Sequence, residues 1–506
     1  MPEKYEEAYQ ELIERSKEVA LIRTCGAVLH WDEQTHMPKG GSPYRAEQMA
    51  YLSGLAHQKA TDPKIGELLS ELEQSPLVKD ELSDAAVNVR ETRHDYDKSV
   101  KVPQKLVEEI TRETTIAQRI WADARKESNF KKFLPSLEKI IKLELELAKC
   151  YGYEKDAYDA LLDVYEPGAT YDSISKVFAG LRDDLVPVVE GIAASKKRPN
   201  MSIIEQDFDV SKQKMFGQSA AAAIGYNFQN GRLDIATHPF TIGIGPEDTR
   251  ITTRYNPKHL GQALFGTLHE AGHGIYDQNL DSAHFGTPRA DAVSLGIHES
   301  QSRMWENMVG RSKPFWKHFF PRAQQMFPEA LDGVSFDDFY FAINDVRPSF
   351  IRVEADEVTY NLHIMLRFEL EHDFLKGDLP VSDIPEAWNT KFSQYLGITP
   401  KNDAEGCLQD VHWCSGYIGY FPTYALGNLY SAQFFSQASD DIKYLEDQLV
   451  AGQFGELKDW LIRNIHSHGR RYRAEKLVEV VTGKPLSHKP LIDYLKGKFT
   501  ELYDLK

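Results

Sequence analysis

Cysteine is scarce in this chain: Cys25, Cys150, Cys407 and Cys414 are the only four among 506 residues. Thiols so few and so scattered cannot frame a chain of this length with disulfides, and they fit a reducing cytosol. Long apolar runs are missing as well. No stretch of about 18 uncharged apolar residues occurs, so no helix is expected to cross a membrane. The first residues, Met1-Pro2-Glu3-Lys4-Tyr5-Glu6-Glu7, have neither the basic end nor the apolar run of a signal peptide, and a cytoplasmic location is expected. Positive charge is in deficit. The 59 Lys and Arg face 76 Asp and Glu, a formal net charge of −17, which opposes general attraction to nucleic acid or to an anionic membrane. Internal repeats, low-complexity runs and interdomain linkers do not stand out either. With 42% hydrophobic and 27% charged residues the composition is that of an ordinary globule. One unit over residues 1–506 is expected, with two lobes around a groove.

Helical periodicity dominates. Tyr5, Tyr9, Leu12, Ile13, Val19 and Ile22 mark an amphipathic helix over about 3–22, and the Pro- and Gly-containing stretch Leu29–Gly41 reads as a break. Further helices are predicted near 42–60, 63–76, 79–100, 103–127, 129–152, 156–164 and 171–195. Beyond residue 300 the pattern predicts helices near 314–326, 336–346, 349–376, 383–396, 417–437, 440–451, 455–465, 474–481 and 490–503. The only convincing strands are Leu233–Ala236, Phe240–Ile244 and Arg250–Tyr255, expected to form a small antiparallel sheet. Asn256-Pro257 then offers an N-cap and a first-turn proline for the next helix.

That helix carries His269-Glu270-Ala271-Gly272-His273. At 100° per residue the two histidines lie about 40° apart on one face, one turn apart, where both imidazoles reach one ion. Glu270 falls beside the ion, placed to take a proton from a metal-activated water. With 17 His and about half of the 76 acids taken as Glu, chance supplies about 0.04 such matches. Gly266 and Gly272, where helix propensity prefers Ala, suggest close approach by another backbone or by substrate. A catalytic zinc site needs a third ligand. Glu299, 26 residues past His273, opens a later helix, but it could equally pair with Arg303 one turn on, and spacing does not choose between the two readings. His30 and His36 have no third ligand spaced with them and read as hydrogen-bonding groups. Cys407 and Cys414 make a weak zinc knuckle. His298 points about 100° away from Glu299 and reads as a structural hydrogen-bonding group.

His269-Glu270-Ala271-Gly272-His273 with His298-Glu299-Ser300-Gln301-Ser302-Arg303 resembles the carboxypeptidase Taq family of metallocarboxypeptidases. So do Leu29-His30-Trp31-Asp32, His238-Pro239-Phe240, Asp248-Thr249-Arg250-Ile251-Thr252 and Ile351-Arg352-Val353-Glu354-Ala355-Asp356. Gly406-Cys407-Leu408-Gln409-Asp410-Val411-His412-Trp413 and Gly419-Tyr420-Phe421-Pro422-Thr423-Tyr424 extend the likeness almost to the C-terminus. The resemblance implies a mostly helical, two-lobed fold similar to neurolysin and angiotensin-converting enzyme, with a deep substrate groove and a zinc-site core over 233–306. It implies Glu299 as third metal ligand beside His269 and His273, Zn2+ with Co2+ as a substitute, and a homodimer. It implies removal of single residues from peptide C-termini with broad specificity, with Glu270 as general base.

The reaction needs two further groups. A donor must face the developing oxyanion, and Tyr420 is the candidate by resemblance, with Tyr417 as fallback. A guanidinium must take the free carboxylate, and Arg352 is the candidate, against the rival reading of an ion pair with Asp356 at i,i+4. His238, His412 and Gln409 are expected to line subsites, while Asp248 and Arg250 brace the loop beside the zinc helix. The competing functions are an endo-acting oligopeptidase on the same scaffold and a non-catalytic zinc-containing peptide-binding protein. A binding module has no need of Glu270.

Overall fold

The computed structural model describes residues 2–505. Helices α1 (Pro2–Thr35), α2 (Ser42–Ala60), α3 (Pro63–Leu72), α4 (Asp84–Lys101), α5 (Gln104–Glu127), α6 (Phe130–Tyr151), α7 (Ala157–Tyr165), α8 (Tyr171–Ala194) and α9 (Val210–Ile224) lead to the strands. These are β1 (Leu233–Ile235), β2 (Thr241–Gly245) and β3 (Asp248–Thr253). Helices α10 (Leu260–Gln278), α11 (Leu295–Arg303), α12 (Lys313–Met326), α13 (Pro328–Leu331), α14 (Phe336–Ile343), α15 (Tyr360–Lys376), α16 (Ile384–Leu396) and α17 (Pro422–Asp441) follow. The chain closes with α18 (Leu445–Val450), α19 (Gly455–Asn464), α20 (Ala474–Thr482) and α21 (Lys489–Tyr503). Local chemistry sets many boundaries. Asp62, Ser83, Asp156, Asp209, Ser294, Ser312 and Ser335 cap helix N-termini through their side chains. Gly377, Gly397 and Gly483, all at positive φ, end α15, α16 and α20.

Four expectations are corrected. The first helix does not stop near residue 22 but runs to Thr35 with Trp31 buried in it, because Leu29–Thr35 contains no breaker; Pro38 ends it. The sheet is mixed rather than antiparallel. Its order is β1-β3-β2, β3 returning between the other two so that β1 runs parallel to it and β2 antiparallel. The helix predicted from 349 begins at Tyr360, since the Asp356 carboxylate accepts from the Val358 and Thr359 amides and fixes a turn there. The helix predicted from 417 begins at Pro422, behind Gly416 and Gly419 at φ +76° and +88°.

One hydrophobic core, rich in Phe, Trp and Leu, runs from α5 to α21. A smaller separate core, Leu12, Ile65, Leu68, Leu69, Leu72 and Val89, joins α1, α3 and α4. Between the two lies a seam of ion pairs, in which Glu91 meets Arg470 and Arg473 at 3.0 Å and Asp84 meets Arg289 and Arg471 at 2.6 and 2.7 Å.

Candidate active site

Helix α10 starts at Leu260 rather than at Pro257, because the ring of His259 supplies the cap: its Nδ1 accepts from the amides of Gly261 and Gln262. His269 and His273 therefore fall in its third and fourth turns. Their rings stand edge to face at 4.9 Å, and Glu299 reaches between them from α11. Its Oε2 lies 3.5 Å from Nε2 of His273 and 3.8 Å from Nε2 of His269. Two ligands about 2.1 Å from a tetrahedral ion stand roughly 3.4 Å apart, so this donor set fits a zinc-like cation. Two glycines make the approach possible. A Cβ on Gly272 would stand 2.7 Å from the carbonyl oxygen of Gln301, and one on Gly427 would stand 2.5 Å from Cγ of Glu299. Gly266 meets nothing so close, and the expectation of a tight backbone contact holds only for Gly272.

Both readings of Glu299 are realised together. Its Oε2 faces the histidines while Oε1 accepts from Nε of Arg303 at 2.7 Å. Arg303 also donates to Oε2 of Glu306 at 3.2 Å, and that same oxygen holds Nδ1 of His269 at 2.8 Å. Glu306 sits on a π-helical turn, Met304–Val309, which continues α11. It fixes the His269 ring through the far nitrogen, the arrangement that orients metal-ligating histidines. Burial opposes charge on all these groups, yet the ion pairs prevail: Arg303 and the histidines hold Glu299 well below the carboxylate range, and Glu306 sits at about 2. For His269 burial is outweighed by Glu299 and Glu306, which hold it at about 8, whereas burial pulls His273 down to about 4. His298 stacks on His273 at 4.4 Å and makes the structural hydrogen bond read from the sequence, to Asp277 at 2.9 Å.

Glu270 is buried beside this centre, and burial pushes its carboxyl above the ordinary value. The hydroxyl of Thr241, first residue of β2, lies 2.7 Å from its Oε2. The sheet thus positions the candidate base. Arg250 grips Asp248 through two bonds and lies over Trp31 at 4.3 Å, bracing the sheet against α1.

Beyond the His269 end lies a second cluster. Arg352, on the turn Arg352–Glu354, is buried and does not pair with Asp356. Its Nε and Nη2 donate to Oδ1 of Asp410 at 3.1 and 2.9 Å, and Nη1 donates to the Tyr360 hydroxyl at 2.9 Å. A guanidinium has five N–H donors, so two remain, one on each terminal nitrogen. Gln409 holds the turn, accepting from the Arg352 amide at 2.8 Å and donating to the Phe350 carbonyl at 2.9 Å. His412 is buried, pulled down to about 3 by burial, with Nε2 3.3 Å from the Tyr424 hydroxyl. The Tyr420 ring packs 5.4 Å from both His412 and Tyr424 and 5.0 Å from Tyr165. Tyr417 is exposed and stacks on Tyr420 at 6.0 Å, while His238 lies exposed in the bend between β1 and β2. Cys407 and Cys414 are buried, and burial pushes both thiols up. Arg303 joins the two clusters, its guanidinium 4.5 Å over the Tyr360 ring. At the His273 end a cavity of about 510 Å³ opens against Gly243, Gly245, Asp277 and Asp291.

Sequence reading missed Thr241, Glu306, Tyr360, Arg367 and Asp410. A signal for Arg367 exists: the apolar residues of α15 fall on every face rather than on one stripe, the pattern of a helix buried all round, and His363, Arg367 and Glu371, four residues apart, are buried with it.

A model of the carboxypeptidase Taq (M32) metallopeptidase family matches residues 11–499. The chain belongs to this family. It is 48% identical to thermostable carboxypeptidase 1 of Thermus thermophilus over 98% of this chain and 99% of that one, and 40% identical to carboxypeptidase 1 of Bacillus subtilis over 99% of each. The crystal structure of the M32 carboxypeptidase from Deinococcus radiodurans superposes with a TM-score of 0.95 at 39% identity, covering 98% of this chain and all of that one. Membership in the carboxypeptidase Taq family makes the chain a metallocarboxypeptidase acting on peptides, and the His269–His273–Glu299 cluster is the place for its divalent metal. Among the described residues it is the one group of His, Cys, Asp and Glu side chains close enough to hold an ion. No helix among them is long and apolar enough to cross a membrane.

Proposed function

We propose that this metallocarboxypeptidase releases single C-terminal residues with broad side-chain tolerance, and that Arg352 sets the register. The observation carrying this reading is the pair of unengaged N–H donors on Arg352, buried next to a three-ligand metal site. Two parallel N–H groups are what a carboxylate takes best. A peptide with its carboxylate at Arg352 would present its last amide bond to His269, His273 and Glu299.

A divalent ion held by those three residues, zinc in our reading with cobalt as a substitute, supplies Lewis acidity and lowers the pKa of water from 15.7 to about 7. Glu270 takes the proton as the scissile carbon is attacked and passes it to the leaving amine. Tyr420 donates to the oxyanion, with Tyr417 as the more exposed alternative. His412, kept neutral by burial, packs the wall behind Tyr420; Gln409 positions the Arg352 turn; His238 contributes at the rim. The same reading takes residues 1–506 as one peptidase unit with two lobes around the groove and 233–306 as its metal-site core. It takes the protein as cytoplasmic and homodimeric, with no nucleic-acid partner at a net charge of −17.

The test is one peptide offered as free acid and as C-terminal amide to metal-loaded protein. Stepwise trimming of the acid, with the amide at least about 100-fold slower, is expected from loss of a charge-assisted pair. Equal rates would favour the oligopeptidase, and intact peptides in both arms the binding protein.

A further inference from the structure

The Arg352 cluster is unbalanced in charge. Asp410 stands between two buried guanidiniums: Oδ1 takes Arg352, and Oδ2 takes Nε of Arg367 at 2.7 Å with its Nη2 at 2.6 Å. Arg367 is fully buried on α15, and its remaining bond is to the His363 carbonyl at 2.6 Å. Among the described residues no second carboxylate bonds either arginine. The neighbouring His363 and His412 are held neutral by burial, and Asp356 is spent on the Val358 and Thr359 amides. Glu371, one turn on from Arg367, bonds Tyr158, Trp413 and the Gly419 amide rather than either arginine, and burial pushes it up to about 7. Among the groups bonded to one another, two cations and one anion leave one positive charge.

We infer that Arg367 is a positioning residue for C-terminal recognition: by neutralising Asp410 from behind, it leaves the charge of Arg352 uncompensated for the substrate's carboxylate. This rests on Arg352 as the carboxylate-binding group. Without Arg367, Asp410 and Arg352 form a closed neutral pair, whose attraction at low effective dielectric competes with the incoming anion. With Arg367, Asp410 can orient Arg352 without cancelling it.

Replacing Arg367 by Met (R367M) should raise KM for free-acid peptides about tenfold or more while kcat changes no more than about threefold, the signature of lost uniform binding. Adding Asp410→Asn (R367M/D410N) removes both charges and restores the single positive charge, so KM should return to within about threefold of the parent. A merely structural role would instead show as lowered thermal stability with kcat and KM moving together, because coupling between two contacting groups can restore stability but does not move KM alone. Thermal unfolding of the metal-loaded full chain is followed alongside. An unchanged KM in a folded R367M, or a folded double variant whose KM stays tenfold up, overturns the inference; if R367M does not fold, the double variant alone decides. Failure of the parent to prefer acid over amide would instead remove the Arg352 reading, so the two failures are distinguishable.

Discussion

The metal centre and the Arg352 cluster are both buried networks of charge, and they err in opposite directions. With the ligand histidines neutral, as metal binding requires, Glu270, Glu299 and Glu306 outnumber Arg303 and the half-buried Arg311. Around Arg352, two guanidiniums outnumber Asp410. Burying an unbalanced charge is costly, so each network gains from a counter-charge, a divalent cation in one and, in the function proposed above, the substrate's carboxylate in the other. Tyr360 lies between them, under Arg303 and bonded to Arg352. If Arg352 takes the substrate's carboxylate as proposed, the distance from the metal at which a peptide ends is set by this one hydrogen-bonded and stacked chain.

The comparison is broken most severely at the base. Glu270→Gln should lower kcat/KM on the order of 10³-fold for free acid and amide alike, with metal content unchanged, because it removes proton transfer and nothing else. A variant retaining a tenth of parental activity would remove Glu270 from the mechanism. Arg352→Met should act on one cluster only: the free acid falls about 100-fold and the amide hardly at all. A parallel fall of both substrates would mean that the two networks do not divide the labour as argued.

The two clusters also differ in how far the sequence discloses them. His269, Glu270 and His273 lie within one helical turn, so their shared face follows from 3.6 residues per turn, and Glu299 comes from the next helix. Even there spacing could not choose between ligand and ion pair for Glu299, since the carboxylate serves both through different oxygens. The Arg352 cluster is assembled from residues 352, 360, 367 and 410, brought together by packing of α15 against a loop. An arginine at i,i+4 from an acid suggested Asp356, but that acid is used up in its own turn, and the true partner lies 58 residues on. The helical class and most helix spans were legible because amphipathic periodicity and Ser, Asp and Gly caps act locally. The parallel pairing of β1, a non-local choice, was not.

Smaller effects sharpen the contrast between networks that need a charge and a site that tolerates none. Glu306→Gln keeps a hydrogen bond to His269 but loses the charge opposite Arg303, so metal affinity should fall about 10- to 100-fold, read by competition with a chromophoric chelator. Unchanged affinity would demote Glu306 to packing.

Glu144 is the counter-example, a buried carboxyl with neither cation nor metal to answer it. Burial alone pushes it up to about 8, near Tyr165 and beneath the glycine at 416. Its folded pKa lies above the unfolded value, so its contribution to stability is fully present below pH 4.5 and is lost as pH rises through about 8. The melting temperature of the parent should therefore drop between pH 6 and pH 9, and Glu144→Gln, which cannot ionise, should recover a few degrees at pH 9 while changing little at pH 5. Scanning calorimetry at the two pH values decides it. Equal shifts at both would mean that the side chain matters for its shape, and that the seat under the Tyr417–Tyr420 loop, unlike the two clusters above it, is indifferent to charge.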